Sequence, residues 1–140
     1  MLTFPLQILD DALREGAKLQ SFFVSKDRPR IVIVSKDGSE IGRGIDNCVL
    51  QAIYLCNAKI ANPFKKEPPT GTYYSEQSKE PLGIWLSTKN FEAKEKNGLI
   101  HCSISDPHTK KVYHGDEHSF LSAIRSAFNT SKIPEVEKIK

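Results

Sequence analysis

The 140-residue sequence predicts an α+β domain, a mostly antiparallel sheet of six or seven strands with helices on one face. Three observations predict it. Apolar residues recur at three- and four-residue steps in separate stretches, the mark of one buried helical face. Short runs rich in Val, Ile and Phe alternate with turn dipeptides, the mark of strands joined as hairpins. The strand, turn, strand and helix pattern of the first half also returns about 71 residues later, so the sheet reads as two related strand-hairpin-helix halves, residues 21–61 and 91–129.

Residues 5–15 form the first predicted helix, with Leu6, Leu9 and Leu13 on one face, Thr3 as its cap and Gly16 as its stop. Ser21 to Ser25 suits a strand. Ile31 to Val34 is apolar without alternation and predicts a strand covered on both faces. Asp37-Gly38 marks a two-residue hairpin, because both central positions of that turn need positive φ. A short strand, Glu40 to Gly42, then leads into Arg43-Gly44. Asp46 is placed to cap a second helix whose buried stripe is Val49, Ile53, Cys56 and Ile60, and Pro63 ends it.

Residues 62–82 are a connection carrying Pro63, Pro68, Pro69 and Pro81. Connections of that length inside a domain are either functional or without structure of their own. Gly83 to Ser87 reads as a strand, Phe91 to Lys94 as another, and Asn97-Gly98 as the turn into a strand over Leu99 to Ser105. A gapless 71-residue shift then lays Ile33 on Ile104, Ile41 on Val112, Gly44 on Gly115, Asp46 on Glu117 and Ile53 on Ile124. Residues 1–129 are thus one domain, and 130–140 a frayed tail.

Composition removes several classes. Charge is balanced, 20 basic against 17 acidic residues, and neither half is a basic tail; nonspecific nucleic-acid binders concentrate positive charge. No apolar stretch is long enough to span a bilayer. The first residues lack the basic start and cleavage site of a secretion signal, so the expected compartment is the cytoplasm. Cys48, Cys56 and Cys102 are in no Cys-x-x-Cys spacing and read as reduced, buried residues.

Candidate chemistry is sparse. His101, His108, His114 and His118 cluster in sequence, yet His101 and Cys102 are neighbours on a strand and point to opposite faces, which argues against a metal site. Nucleophilic catalysis needs a serine or cysteine held beside a histidine with a third group to orient it; many serines are present, but there is no Gly-x-Ser-x-Gly elbow and no cysteine has an electropositive neighbour in sequence. Neither a catalytic residue nor a cofactor is expected. Gly42-Arg43-Gly44 entering a helix combines close backbone approach, free N–H groups and a guanidinium, which together suit a phosphate or carboxylate. The alternative is that the glycines serve the turn and Arg43 is solvated. Tyr73 and Tyr74, with Lys65 and Lys66 before them and Trp85 after, suit stacking on a ring and neutralising its phosphate. Arg43, Gly44, Lys65, Lys66, Tyr73, Tyr74 and Trp85 are therefore the candidate ligand-binding residues.

Helix, three strands and helix over residues 5–61 resemble the double-stranded-RNA-binding domain. That resemblance implies phosphate contacts from lysines at the start of the second helix, where this chain has Asp46-Asn47-Cys48. Val112-Tyr113-His114-Gly115 leading into Phe120 to Phe128 resembles small α+β sandwich proteins of phages and prophages, a resemblance that implies accessory, anti-defence proteins acting by sequestration. The expected function is a non-enzymatic protein that binds a small anionic, nucleotide-like ligand at a subunit or half-to-half interface. Duplex-RNA binding and a protein-protein inhibitor or adaptor are the alternatives. Val32, Val34 and Trp85 are poor residues to leave wet, so a homo-oligomer is expected.

Overall fold

In the computed structural model, which describes residues 6–23, 25, 27–61 and 81–132, helix α1 (Gln7–Arg14) precedes a meander of β1 (Lys18–Phe22), β2 (Arg30–Lys36) and β3 (Ser39–Asp46). Helix α2 (Val49–Ala61) closes the first half. The second half has the same order, with α3 (Pro81–Leu86), β4 (Asn90–Lys96), β5 (Leu99–Ser105), β6 (Val112–Glu117) and α4 (Phe120–Ser131). All six strands form one open antiparallel sheet in the order β3-β2-β1-β4-β5-β6, so each half contributes three strands and the halves meet where β1 pairs with β4.

Alternation decides the two faces. Leu19, Val32, Val34, Phe91, Ala93, Cys102 and Ile104 point under the helices and are buried, joined there by Leu9 and Leu13 of α1, Ile53 of α2, Leu82 and Leu86 of α3, and Phe120 and Ile124 of α4. Every second residue faces the other way. Ile31 and Ile33 are only half-buried, so β2 is covered on one face and not on both. Its lack of alternation reflects an apolar strip on the uncovered face, where Phe22 and Ile45 are also exposed.

Three local expectations are corrected. Gly83 to Ser87 belongs to helix α3 and a turn, with Pro81 opening the helix, where a missing N–H costs nothing, and Leu82 and Leu86 one turn apart on its buried side. A short apolar run has no period long enough to separate helix from strand. Strand β1 lies three residues earlier than expected, because Leu19 rather than Phe22 or Phe23 pairs opposite Val34 in the core. Strand β3 continues through Arg43 and Gly44 to Asp46. Thr3, most of the 62–82 connection and the end of the predicted tail lie outside the described residues, while α4 runs on to Ser131.

The predicted hairpin turns do form. Asp37 and Gly38, with φ of 53° and 81°, and Asn97 and Gly98, with 55° and 84°, are two-residue loops with positive φ at both positions, the geometry that matches strand twist. The β5–β6 connection is longer, with Ser105 opposite Val112 and Asp106 accepting from the His108 and Thr109 N–H groups. A β-bulge between Val34 and Ser35 in the β2–β3 pairing, with no counterpart between β5 and β6, slips the two hairpins by one residue. Gly44 faces Val32 while Gly115 faces Cys102, so Ile33 lies on the uncovered face and Ile104 in the core.

Candidate functional site

The seam between the halves is short. β1 and β4 pair only at Leu19 with Ala93 and Gln20 with Glu92. Beyond that point the strands part, and side chains take over the backbone's work: Ser21 Oγ accepts from the Phe91 N–H at 2.7 Å and Asn90 Oδ1 from the Phe23 N–H at 2.7 Å. Buried backbone donors must find partners, and two short polar side chains here supply them across a gap too wide for the ladder. The gap is a hollow of about 150 Å³ lined by Gln20, Ser21, Asn90, Phe91, Glu92, Ser103 and Ser105. Its wall is rich in hydroxyls and amides, and the Glu92 carboxylate is matched by Lys18 Nζ at 2.8 Å.

Next to the hollow, the uncovered face of β5 and β6 carries a polar cluster. Period two puts His101 and Ser103 on one face of β5, and His114 and Asp116 on the same face of β6. The register then sets His101 opposite Asp116 and Ser103 opposite His114. His101 Nδ1 lies 2.6 Å from Asp116 Oδ1, Ser103 Oγ lies 3.3 Å from His101 Nε2 and 3.2 Å from His114 Nδ1, and the two imidazoles stack at 5.3 Å. Ser103 belongs to both the cluster and the hollow. No group of three or more ligating side chains suited to a metal ion exists among the described residues.

The sequence-derived candidates are scattered. Arg43 sits mid-strand on the outer strand β3, and its guanidinium is taken by the Glu40 carboxylate, at 2.7 Å from Nη2 and 3.2 Å from Nε. That hydrogen bond and charge push its pKa up. Gly44 does bring backbones close, but to helix α2: a Cβ there would fall inside the van der Waals shell of the Ala52 carbonyl. The start of α2 is already occupied by a carboxylate, since Asp46 Oδ1 accepts from the Cys48 N–H and Oδ2 from the Gln51 amide. Trp85 packs under the helices, edge-on to Tyr113 at 5.8 Å and tilted on Phe128 at 5.2 Å. Arg43 and Trp85 therefore lie on opposite faces of the sheet. Lys65, Lys66, Tyr73 and Tyr74 lie outside the described residues.

Cys56 and Cys102 are fully buried, and burial is the main cause that drives both thiol pKa values up, that of Cys56 to about 12. Neither supplies a thiolate at neutral pH, the form that reacts. The third cysteine, Cys48, is half-buried at the start of α2, away from the hollow, where serine and histidine are the nucleophilic groups. The cluster was within reach of the sequence: His101-x-Ser103 and His114-x-Asp116 are spaced symmetrically about the turn at 106–111. What the sequence does not state is the register that makes the pairs face each other. In the comparisons with known proteins, no family model, curated protein or solved structure matches this chain.

Proposed function

We propose that the chain is a binding protein that takes a small, polar, nucleotide-like ligand in the hollow at the seam between its halves, ring or sugar end first. The observation that carries this reading is the interrupted seam, where two strands separate after two residue pairs and leave a space walled by hydroxyls and amides instead of closing into a continuous ladder. A cavity of about 150 Å³ takes a single heterocycle or sugar, not a whole nucleotide. The anionic part of the ligand then stays outside the hollow, in solvent. Arg43 plays no part in this reading, because Glu40 holds its guanidinium.

A few hydrogen bonds at about 0.5–1.5 kcal/mol each, with the cost of association set against them, give affinity no tighter than about millimolar. Native mass spectrometry of freshly purified protein, followed by calorimetric titration of nucleosides and nucleotides, tests the proposal. Binding to the wild type that falls at least about tenfold in Ser105→Phe, a substitution that fills the hollow from its half-exposed wall, supports it. Equal binding by wild type and variant removes the hollow as the site.

A further inference from the structure

The tautomer logic of the cluster assigns a direction to its protons. An ionised Asp116 carboxylate only accepts, so the ring nitrogen 2.6 Å away, His101 Nδ1, carries the hydrogen. A neutral imidazole then has Nε2 free as an acceptor, and the group at 3.3 Å from it is the Ser103 hydroxyl. A serine has one proton to give, and it goes to His101; the second contact at Ser103 Oγ is therefore a donation from His114 Nδ1–H at 3.2 Å. The serine oxygen is thus polarised by a base that is itself oriented by a carboxylate, and it borders a hollow. Nucleophile, base and orienting acid are recognised by this geometry and not by their order along the chain.

We propose that Ser103, His101 and Asp116 form a nucleophilic relay that hydrolyses small uncharged esters entering the hollow. This goes beyond reversible binding and stands on the relay, whether or not a nucleotide-like ligand is retained. Ser103 Oγ bonds to the ester carbonyl carbon as its proton passes to His101 Nε2. The bond from that carbon to the alcohol oxygen then breaks, and the departing oxygen takes the proton from His101. Water adds to the acyl carbon by the reverse route, giving a proton to His101, and the acid leaves as Ser103 recovers its hydrogen. Ester and water become acid and alcohol, with no other reactant.

The hollow sets the substrate class. Its volume admits a short acyl group, and its hydroxyl and amide wall, with Glu92 neutralised by Lys18, gives no net charge to match an ionic substrate. Strand β5 is paired on both sides, so its backbone N–H groups are spent in the ladders. Charge developing on the carbonyl oxygen must be met by side chains that line the hollow, of which Gln20 and Asn90 carry amide N–H donors. Side-chain donors are less rigidly placed than a backbone oxyanion hole, and turnover is accordingly slow, with acylation outrunning deacylation.

A fluorophosphonate probe and p-nitrophenyl acetate, applied to the whole chain, test the relay. Expected are covalent labelling mapped by peptide mass spectrometry to Ser103, a burst of p-nitrophenol, and loss of both in Ser103→Ala, with hydrolysis falling at least about tenfold. That variant keeps both histidines, so any hydrolysis by exposed imidazole alone survives in it and is subtracted. Asp116 acts as a positioning residue, and Asp116→Asn is expected to lower the rate and move its pH profile as well as its height. Label that is absent from the wild type, label on another residue, or hydrolysis unchanged in Ser103→Ala would each overturn the proposal. The labelling result needs no variant and so does not depend on how any substitution folds. Ligand retention without labelling leaves the binding reading standing alone, and labelling without retention does the reverse.

Discussion

The glycines of this chain do two different jobs, and the difference is measurable. Gly38 has φ of 81° and nothing within 4 Å of where a Cβ would sit, so its constraint is purely conformational. Gly44 and Gly115 have ordinary backbone angles, yet each lies against the helix of its own half, where a Cβ would strike the carbonyl of Ala52 or of Ala123. A left-handed residue given a side chain costs about 1–2 kcal/mol. Forcing a helix off the sheet costs more, at or above the roughly 1–3 kcal/mol of overpacking, because backbone cannot rotate away. Gly44→Ala is therefore expected to lower the urea midpoint further than Gly38→Ala. Equal effects in denaturation curves would show that the helix has room to shift. From sequence, Gly44 and Gly115 were visible as equivalent positions, but only packing distinguishes a glycine that receives a ligand from one that receives a helix.

Elements in this fold are joined by side chains that finish one another's ends. Asn57 of α2 accepts from the Leu9 N–H of α1 at 2.8 Å, and Asp10 of α1 accepts from the Phe120 N–H at 2.9 Å, where α4 begins alongside its own cap, Ser119. Helix α1 is thereby tied to both halves. Asp10 carries this contact at a cost: burial raises its pKa, and the Phe120 N–H and Arg14 only partly offset it. Asp106 in the β5–β6 turn goes the other way, with desolvation outweighed by the His108 and Thr109 N–H groups and by Lys89, 3.5 Å away, so its pKa is lowered.

The signs for stability are opposite. The contribution of Asp106 is present above its unfolded value and is lost as pH falls through its folded one, whereas that of Asp10 is present in acid and is lost as pH rises through its folded value. Carboxyl carbon NMR should find Asp10 titrating above 3.8 and Asp106 below it. An Asp10 that titrates at its ordinary value would mean that α1 does not pack against α4 as described. Turns, strands β2, β5 and β6, and helices α2 and α4 were legible in the sequence, because each depends on a local period or on a dipeptide that only one turn accepts. Helix α3 was not, since six residues do not complete enough turns to show a period.

At the scale of the molecule, four helices cover one face of the sheet and none of the described residues covers the other. On that face the first half carries Phe22, Ile31, Ile33 and Ile45, and the second half the polar cluster. A homo-oligomer, if formed, is expected to bury the apolar half, and not Val32, Val34 or Trp85, which the helices already cover or pack. Ile33→Glu places a charge at the centre of that strip on a half-exposed site. It is expected to give a monomer by light scattering while changing folding stability by less than about 1 kcal/mol. A wild-type protein that is monomeric at micromolar concentration would contradict the oligomer outright.

Fold class, hairpin turns, the stripe of each long helix and the recurrence of one strand-strand-helix order were legible in the chain's local pattern, because these are short-range consequences of side-chain period and of which residues tolerate positive φ. Tertiary structure alone decided which face of β2 stays open, where β1 and β4 part, and that His101, Ser103, His114 and Asp116 meet. Those outcomes depend on register across strands up to 70 residues apart, as in the Ser21 to Phe91 contact. A slip of one residue turns every side chain to the other face of the sheet, and no local pattern in a single strand records which register its neighbour will take.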